Sequence, residues 1–148
     1  LPISKSNMAD YMAKTAEALA PIYERMKEDL LNTGTKVMHA DETTLTLSKQ
    51  AHPGRKKSYV FVYASSFYDD KQIHIYEFSE TRAMDPESNY LKDFNGYIEC
   101  DDYPGYDRLR KSKPGIKLQR CWAHARRKYM DIIKAMPKEA RTRHSAKD

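Results

Sequence analysis

The chain opens on a helical pattern. Met8, Tyr11, Met12, Thr15, Leu19, Ile22, Tyr23, Met26 and Leu30 recur at steps of three and four behind Ser4, Ser6 and Asn7, residue types suited to an N-cap. That spacing predicts a long amphipathic helix, kinked or split at Pro21, because proline removes a backbone donor and crowds the preceding turn. Such a helix either packs on the domain C-terminal to it or ends a DNA-binding or dimerising module. Asn32-Thr33-Gly34 closes it, and the period then changes to two. Residues 36–47, 58–66 and 72–78 read as three strands, and the loop 50–57 and the turn 68–70 are short enough for hairpins, so an antiparallel meander is expected.

The second half alternates. A short helix over 84–93, with Pro86 and acids near its start, precedes a strand at 97–101, a helix at 106–111, a strand at 116–121 and a helix at 122–136. Strands alternating with helices imply parallel pairing through right-handed crossovers. The expected fold class is therefore α/β: a mixed five-stranded sheet, three antiparallel strands then two parallel, with flanking helices and the long N-terminal helix. The chain divides into a helical segment at 1–33, a core at 34–136, and a polar stretch 137–148 that begins at Pro137 and reads as a frayed tail or the start of an insertion.

Composition narrows the class. With 148 residues, 40% hydrophobic and 32% charged, the chain has the profile of a soluble globular protein. The longest apolar run, Tyr59 to Ala64, falls far short of the roughly 20 residues a spanning helix needs, and no signal segment opens the chain, so a cytoplasmic setting without membrane contact is expected. Cys100 and Cys121 are too few for a disulfide framework. Leu1 in place of a starting Met suggests a piece of a longer protein. Charge is unevenly placed. Residues 1–107 hold 12 Lys/Arg against 18 Asp/Glu, and residues 108–148 hold 14 against 3, so the C-terminal part is the expected polyanion contact. A solvated basic helix face is the plainer reading of the same charges.

Two aspartates stand out against this frame. Alternation places Asp41 on the strand face of Val37, Leu45 and Leu47, and a carboxylate on an apolar face is costly unless a cation or hydrogen bonds compensate it. Asp101 ends the strand Gly96-Tyr-Ile-Glu-Cys-Asp101. Neighbouring strands run about 4.8 Å apart, so two such acids can share a divalent cation, and two ions about 3.5 to 4 Å apart would serve phosphodiester chemistry. On spacing alone, a turn cap or a lysine pair accounts for Asp41 equally well.

The segments His39-Ala-Asp-Glu-Thr43, Phe94-Asn-Gly-Tyr-Ile-Glu-Cys-Asp101 with Tyr103-Pro-Gly-Tyr106, and Cys121-Trp-Ala-His-Ala-Arg-Arg-Lys-Tyr129 resemble, in order and spacing, successive signatures of the insertion sequence sixty-six transposase family. The likeness extends to Leu1-Pro-Ile-Ser-Lys-Ser6 and to Leu19-Ala-Pro-Ile-Tyr23. It implies a ribonuclease-H-like catalytic core, incomplete here, with an Asp, Asp, Glu triad holding two Mg²⁺ or Mn²⁺ ions to cut and join DNA. By motif the first two acids fall on Asp41 and Asp101. It further implies DNA partners at transposon ends and target, a homo-oligomeric active complex, accessory proteins of the element and a nucleoid-associated bacterial setting.

The chain departs from the family after the second acid, where Asp102 replaces the usual glycine; alternation turns Asp101 and Asp102 to opposite faces and favours Asp101. Glu139 is the sole glutamate after Asp101 and lies past Pro137, so the third acid is expected beyond Asp148. Cys121 and His124 have half a zinc spacing without a second pair, which favours a structural role. Arg126, Arg127 and Lys128 are candidate phosphate contacts or simply hydrated, His39 is a hydrogen-bond partner of Asp41 or a satisfied core histidine, and Glu42 is a structural acid on the opposite face.

Overall fold

The computed structural model describes residues 3–46, 57–85 and 90–137. Helix α1 runs Lys5–Leu31 and is capped by Ser4, whose hydroxyl accepts the Asn7 N–H at 3.1 Å. It continues through Pro21, so the expected split does not occur. The Glu17 carbonyl that loses its partner is on the exposed part of the helix, where water can satisfy it.

Five strands form one sheet: β1 (Val37–Thr46), β2 (Lys57–Ser65), β3 (His74–Ser79), β4 (Gly96–Cys100) and β5 (Ile116–Arg120), in the order β3-β2-β1-β4-β5. β1, β2 and β3 pair antiparallel, while β4 lies parallel to β1 and β5 parallel to β4. This is the mixed sheet that the sequence pattern predicts. Helix α2 (Pro104–Ser112) links β4 to β5, and helix α3 (Trp122–Ala135) comes after β5. The expected helix over 84–93 is smaller among the described residues: Met84 and Asp85 are irregular, a single 3-10 turn spans Tyr90–Asp93, and 86–89 lie outside them. The 47–56 connection and the stretch from Lys138, with Glu139, are also outside the described residues.

The two faces of the sheet differ. Met38 and Ala40 of β1, Phe61 and Tyr63 of β2, Ile75 of β3, Ile98 and Cys100 of β4 and Ile116 of β5 point inward, where Leu30 of α1, Met84, Leu91, Phe94, and Tyr106 and Leu109 of α2 close over them. Each fully buried aliphatic side chain contributes roughly 1.5 to 3 kcal/mol. The opposite face carries His39, Asp41 and Leu45 of β1 with Tyr76, Phe78 and Tyr97, and much of it is open. Asp41 therefore shares an apolar pattern but not a covered face. Its side chain is 57% exposed, and the desolvation argument for a special role does not hold.

Register at the sheet's centre is set where β1 and β4 begin. Lys36 adopts a left-handed φ of 53°, and its carbonyl accepts the Tyr97 N–H at 2.8 Å. Gly96 beside it is obligatory: a Cβ there would stand 2.3 Å from the Lys36 carbonyl oxygen. Gly96→Ala is expected to cost on the order of 1 to 3 kcal/mol in urea unfolding, because backbone must shift. Gly34→Ala meets nothing nearer than Asp69 at 3.8 Å and should leave stability unchanged or raise it by up to about 1 kcal/mol.

Burial pushes the Cys100 thiol up to about 11, outweighing Arg120 nearby. Native-state alkylation read by mass spectrometry should label the half-buried Cys121 and spare Cys100 at pH 8. Since the folded thiol titrates above its ordinary 9.0, its contribution to stability is intact below pH 9 and declines as pH rises toward 11.

Candidate functional site

The ladder between β1 and β4 runs Val37 to Tyr97, Met38 to Ile98 and His39 to Glu99. Two residues beyond the last rung are Asp41 on one strand and Asp101 on the other, so both acids follow the same end of the β1–β4 ladder, while β1 runs on to Thr46 against β2. Asp41 Oδ1 accepts the Glu42 N–H at 2.9 Å, and its Oδ2 lies 3.8 Å from His124 Nε2. Asp101 Oδ1 accepts the Tyr103 N–H at 2.9 Å in the turn that starts α2.

The chain end of β4 is held by two arginines that the sequence pattern does not single out. Arg120, at the end of β5, donates to the Asp101 carbonyl and to Asp107 Oδ2, each at 2.7 Å, and lies 3.5 Å from Asp102 Oδ1. Its charge is favoured above the usual range by Asp107, against the opposing effect of burial. Arg82, after β3, pairs with Glu42, stacks over the Tyr103 ring at 4.0 Å and reaches Asp101 Oδ2 at 3.9 Å. The hydrogen bond to Glu42 is the main reason its guanidinium holds its proton more tightly than usual. Tyr103 returns a hydrogen bond to the Arg82 carbonyl at 2.6 Å. Both arginines act through partners 13 to 40 residues away, a separation that leaves no local pattern; the one local hint was Arg120 immediately before the Cys-Trp block.

Glu42 is the buried acid of the group. Its side chain is only 3% exposed, on the inward face, and beyond Arg82 it accepts a 3.3 Å hydrogen bond from the Tyr106 hydroxyl. Burial, then the charge of Glu42, pushes the Tyr106 hydroxyl's titration strongly upward, so it remains a donor. Glu42 has the structural place expected for it.

The remaining candidates divide. His39 does not meet Asp41; its Nδ1 lies 3.3 Å from Glu99 across the β1–β4 rung. His124 does face Asp41, while its Nδ1 is buried without a hydrogen-bond partner in the described structure. Cys121 caps α3 and donates its N–H to the Cys100 carbonyl at 2.8 Å, tying α3 to the end of β4. Arg126, Arg127 and Lys128 are exposed on α3, and the latter two line a groove of about 820 Å³ whose floor includes Asp101, Tyr103, Arg120 and His124.

Chemically, the site offers hard oxygen donors at a strand end. Among the described residues no three His, Cys, Asp or Glu side chains converge as a complete metal site requires, and Cys121 with His124 makes no zinc set. Two carboxylates nonetheless fit Mg²⁺ or Mn²⁺, which are commonly held by one or two carboxylates together with substrate phosphates. Asp101 is the better placed of the adjacent pair: its side chain is 23% exposed against 73% for Asp102, which faces Arg120.

Comparison with known proteins adds an independent result. The pattern described as "Transposase IS66 family" matches residues 1–147. The uncharacterized protein y4qI of Sinorhizobium fredii (strain NBRC 101917 / NGR234) is 33% identical over 147 residues, covering 88% of this chain and 26% of that protein. A second protein of that strain, the uncharacterized y4jD, is 27% identical over 146 residues, covering 90% of this chain and 28% of its own length. The chain thus spans about a quarter of the length of these curated relatives. No solved structure matches it. Among the described residues no helix is long and apolar enough to cross a membrane. A match from the first residue to the last but one places the sequence without ambiguity: the chain belongs to the IS66 family of transposases.

Proposed function

We propose that this chain is the ribonuclease-H-like catalytic-core portion of a DNA transposase that cleaves strands at the ends of an insertion element and joins the freed 3′ hydroxyl to target DNA. The single observation that supports this most is the parallel β1–β4 register, whose last rung, His39 with Glu99, lies two residues before Asp41 on one strand and two before Asp101 on the other. In this reading the two carboxylates hold Mg²⁺ or Mn²⁺, two ions in the complete site, with the third acid supplied from outside the described residues. Bound there, the cations supply Lewis-acid polarisation of the phosphodiester.

The chain's own residues do the rest. Asp41 and Asp101 present anionic oxygens, one turned toward His124 and the other fixed by the Tyr103 N–H. Arg120 keeps the β4 end in place through the Asp101 carbonyl, so Asp101 is oriented without losing both carboxylate oxygens to an arginine. Arg127 and Lys128 line the groove, Arg126 is exposed beside them on α3, and the three would neutralise DNA phosphates. The active complex in this reading is a homo-oligomer on transposon ends and target, with accessory proteins of the element, and works in the bacterial cytoplasm at the nucleoid.

One observation favours a second reading, a DNA-binding or assembly module whose acids are only structural: Arg82 stands 3.9 Å from Asp101, and Arg120 stands 3.5 Å from Asp102. A ribonuclease-H-like nuclease that stops at hydrolysis is the rival enzyme, and strand-joining assays on the full-length protein separate it from a transposase.

Asp41→Asn and Asp101→Asn in the full-length protein are expected to reduce strand cleavage about a thousandfold or more, the effect of several kcal/mol of lost ion stabilisation, while Asp102→Asn does not. Duplex DNA binding should be nearly unchanged in both. Retained cleavage in the Asn variants would support the structural reading. For DNA contact, replacing Arg126, Arg127 and Lys128 together by Ala should lower the slope of log affinity against log salt by roughly 2 to 3, measured by fluorescence anisotropy. An unchanged slope would move the phosphate contacts elsewhere.

A further inference from the structure

The first five turns of α1 carry an apolar seam that the described residues leave open. Met8, Met12, Thr15, Leu19, Ile22 and Met26 succeed one another at steps of four, three, four, three and four. That is the seven-residue repeat of a coiled-coil seam, narrower than the stripe of a helix laid on a sheet. Met26 tucks against the core, whereas Met12 is 74%, Ile22 59% and Leu19 51% exposed.

The polar residues keep the same repeat. Asp10, Glu17 and Glu24 fall seven apart on the side away from the seam. Lys14 and Pro21, also seven apart, share one outward row, so the proline's missing donor does not touch the seam. The positions flanking the seam from Ala9 to Ala18 are Ala9, Tyr11, Ala16 and Ala18. They hold no charge, so identical helices meet no like-charge repulsion there, and the alanines permit close approach.

We propose that α1 pairs with the α1 of a second copy of this chain through this seam, making a homodimer. A regular seven-residue repeat is complementary to a helix of the same repeat, and a second copy supplies one automatically. The open part of the helix, from Lys5 to Ile22, is about 27 Å long at 1.5 Å per residue. Its five large exposed side chains, Met8, Tyr11, Met12, Leu19 and Ile22, are each at least half exposed and leave apolar surface toward the ~800 Å² per partner of a specific interface. Thr15 at a seam position weakens the pairing relative to an all-aliphatic one, which sets a modest affinity. The inference is independent of whether Asp41 and Asp101 hold metal.

The test is the mass of the 148-residue chain in solution, by sedimentation or light scattering up to about 100 µM, a range that detects micromolar association. The expected value is twice 17.3 kDa at high concentration, falling to 17.3 kDa in Leu19→Lys. Met12→Lys, farther from the core, should give the same monomer, and far-UV dichroism should show helix content retained in whichever variant is read. A wild-type chain that stays at 17.3 kDa throughout overturns the proposal and assigns the seam to preceding residues of a longer chain or to another protein. A dimer that survives both substitutions overturns it too, and points to the open sheet face.

Discussion

The parallel pairing of β1 with β4 is the constraint on which the rest of the structure depends. It begins at one close backbone approach, the Lys36 carbonyl against Gly96 and the Tyr97 N–H, and no side chain larger than hydrogen fits there. From that start the register is fixed residue by residue, because a slip of one would turn Met38 and Ile98 out of the core. The same register sends Asp41 and Asp101 to a common end. Packing and site geometry are thus consequences of one ladder.

The end of that ladder is stiffened by charge. Arg120 binds a backbone carbonyl and Asp107, Arg82 binds Glu42 and stacks on Tyr103, and the Cys121 N–H closes on the Cys100 carbonyl. These contacts span β3 to α3, so elements distant in sequence meet around the turn that presents Asp101. The arrangement also separates roles among four acids: Glu42 and Asp107 are consumed by arginines, Asp102 leans toward one, and Asp41 remains half open beside a histidine. With both arginines more than a third exposed, pairs of this kind add little to stability.

Much of this was legible in the residues. The change of period at Gly34 and the strand-helix alternation after Phe94 pointed to five strands in their observed directions, because each element buries one face and so must repeat its apolar residues. Asp41 was visible as an acid within a strand and Asp101 as one at a strand end. Three things were not. Continuity through Pro21 depends on solvent satisfying one carbonyl, which sequence does not encode. The openness of Asp41's face could not be read either, since alternation reveals two faces and not which of them other elements cover. Arg82 and Arg120 were missed because their partners are long-range, and a lone arginine in a basic stretch carries no mark of its place.

That Asp41 and Asp101 together hold a divalent cation is the central proposal, and paramagnetic broadening by Mn²⁺ tests it most directly. In amide spectra of the 148-residue chain, Mn²⁺ should broaden the residues around Asp41 and those around Asp101 together, and Asp101→Asn should abolish both effects at once. Broadening at one strand end without the other, or broadening unaffected by that substitution, would contradict the account.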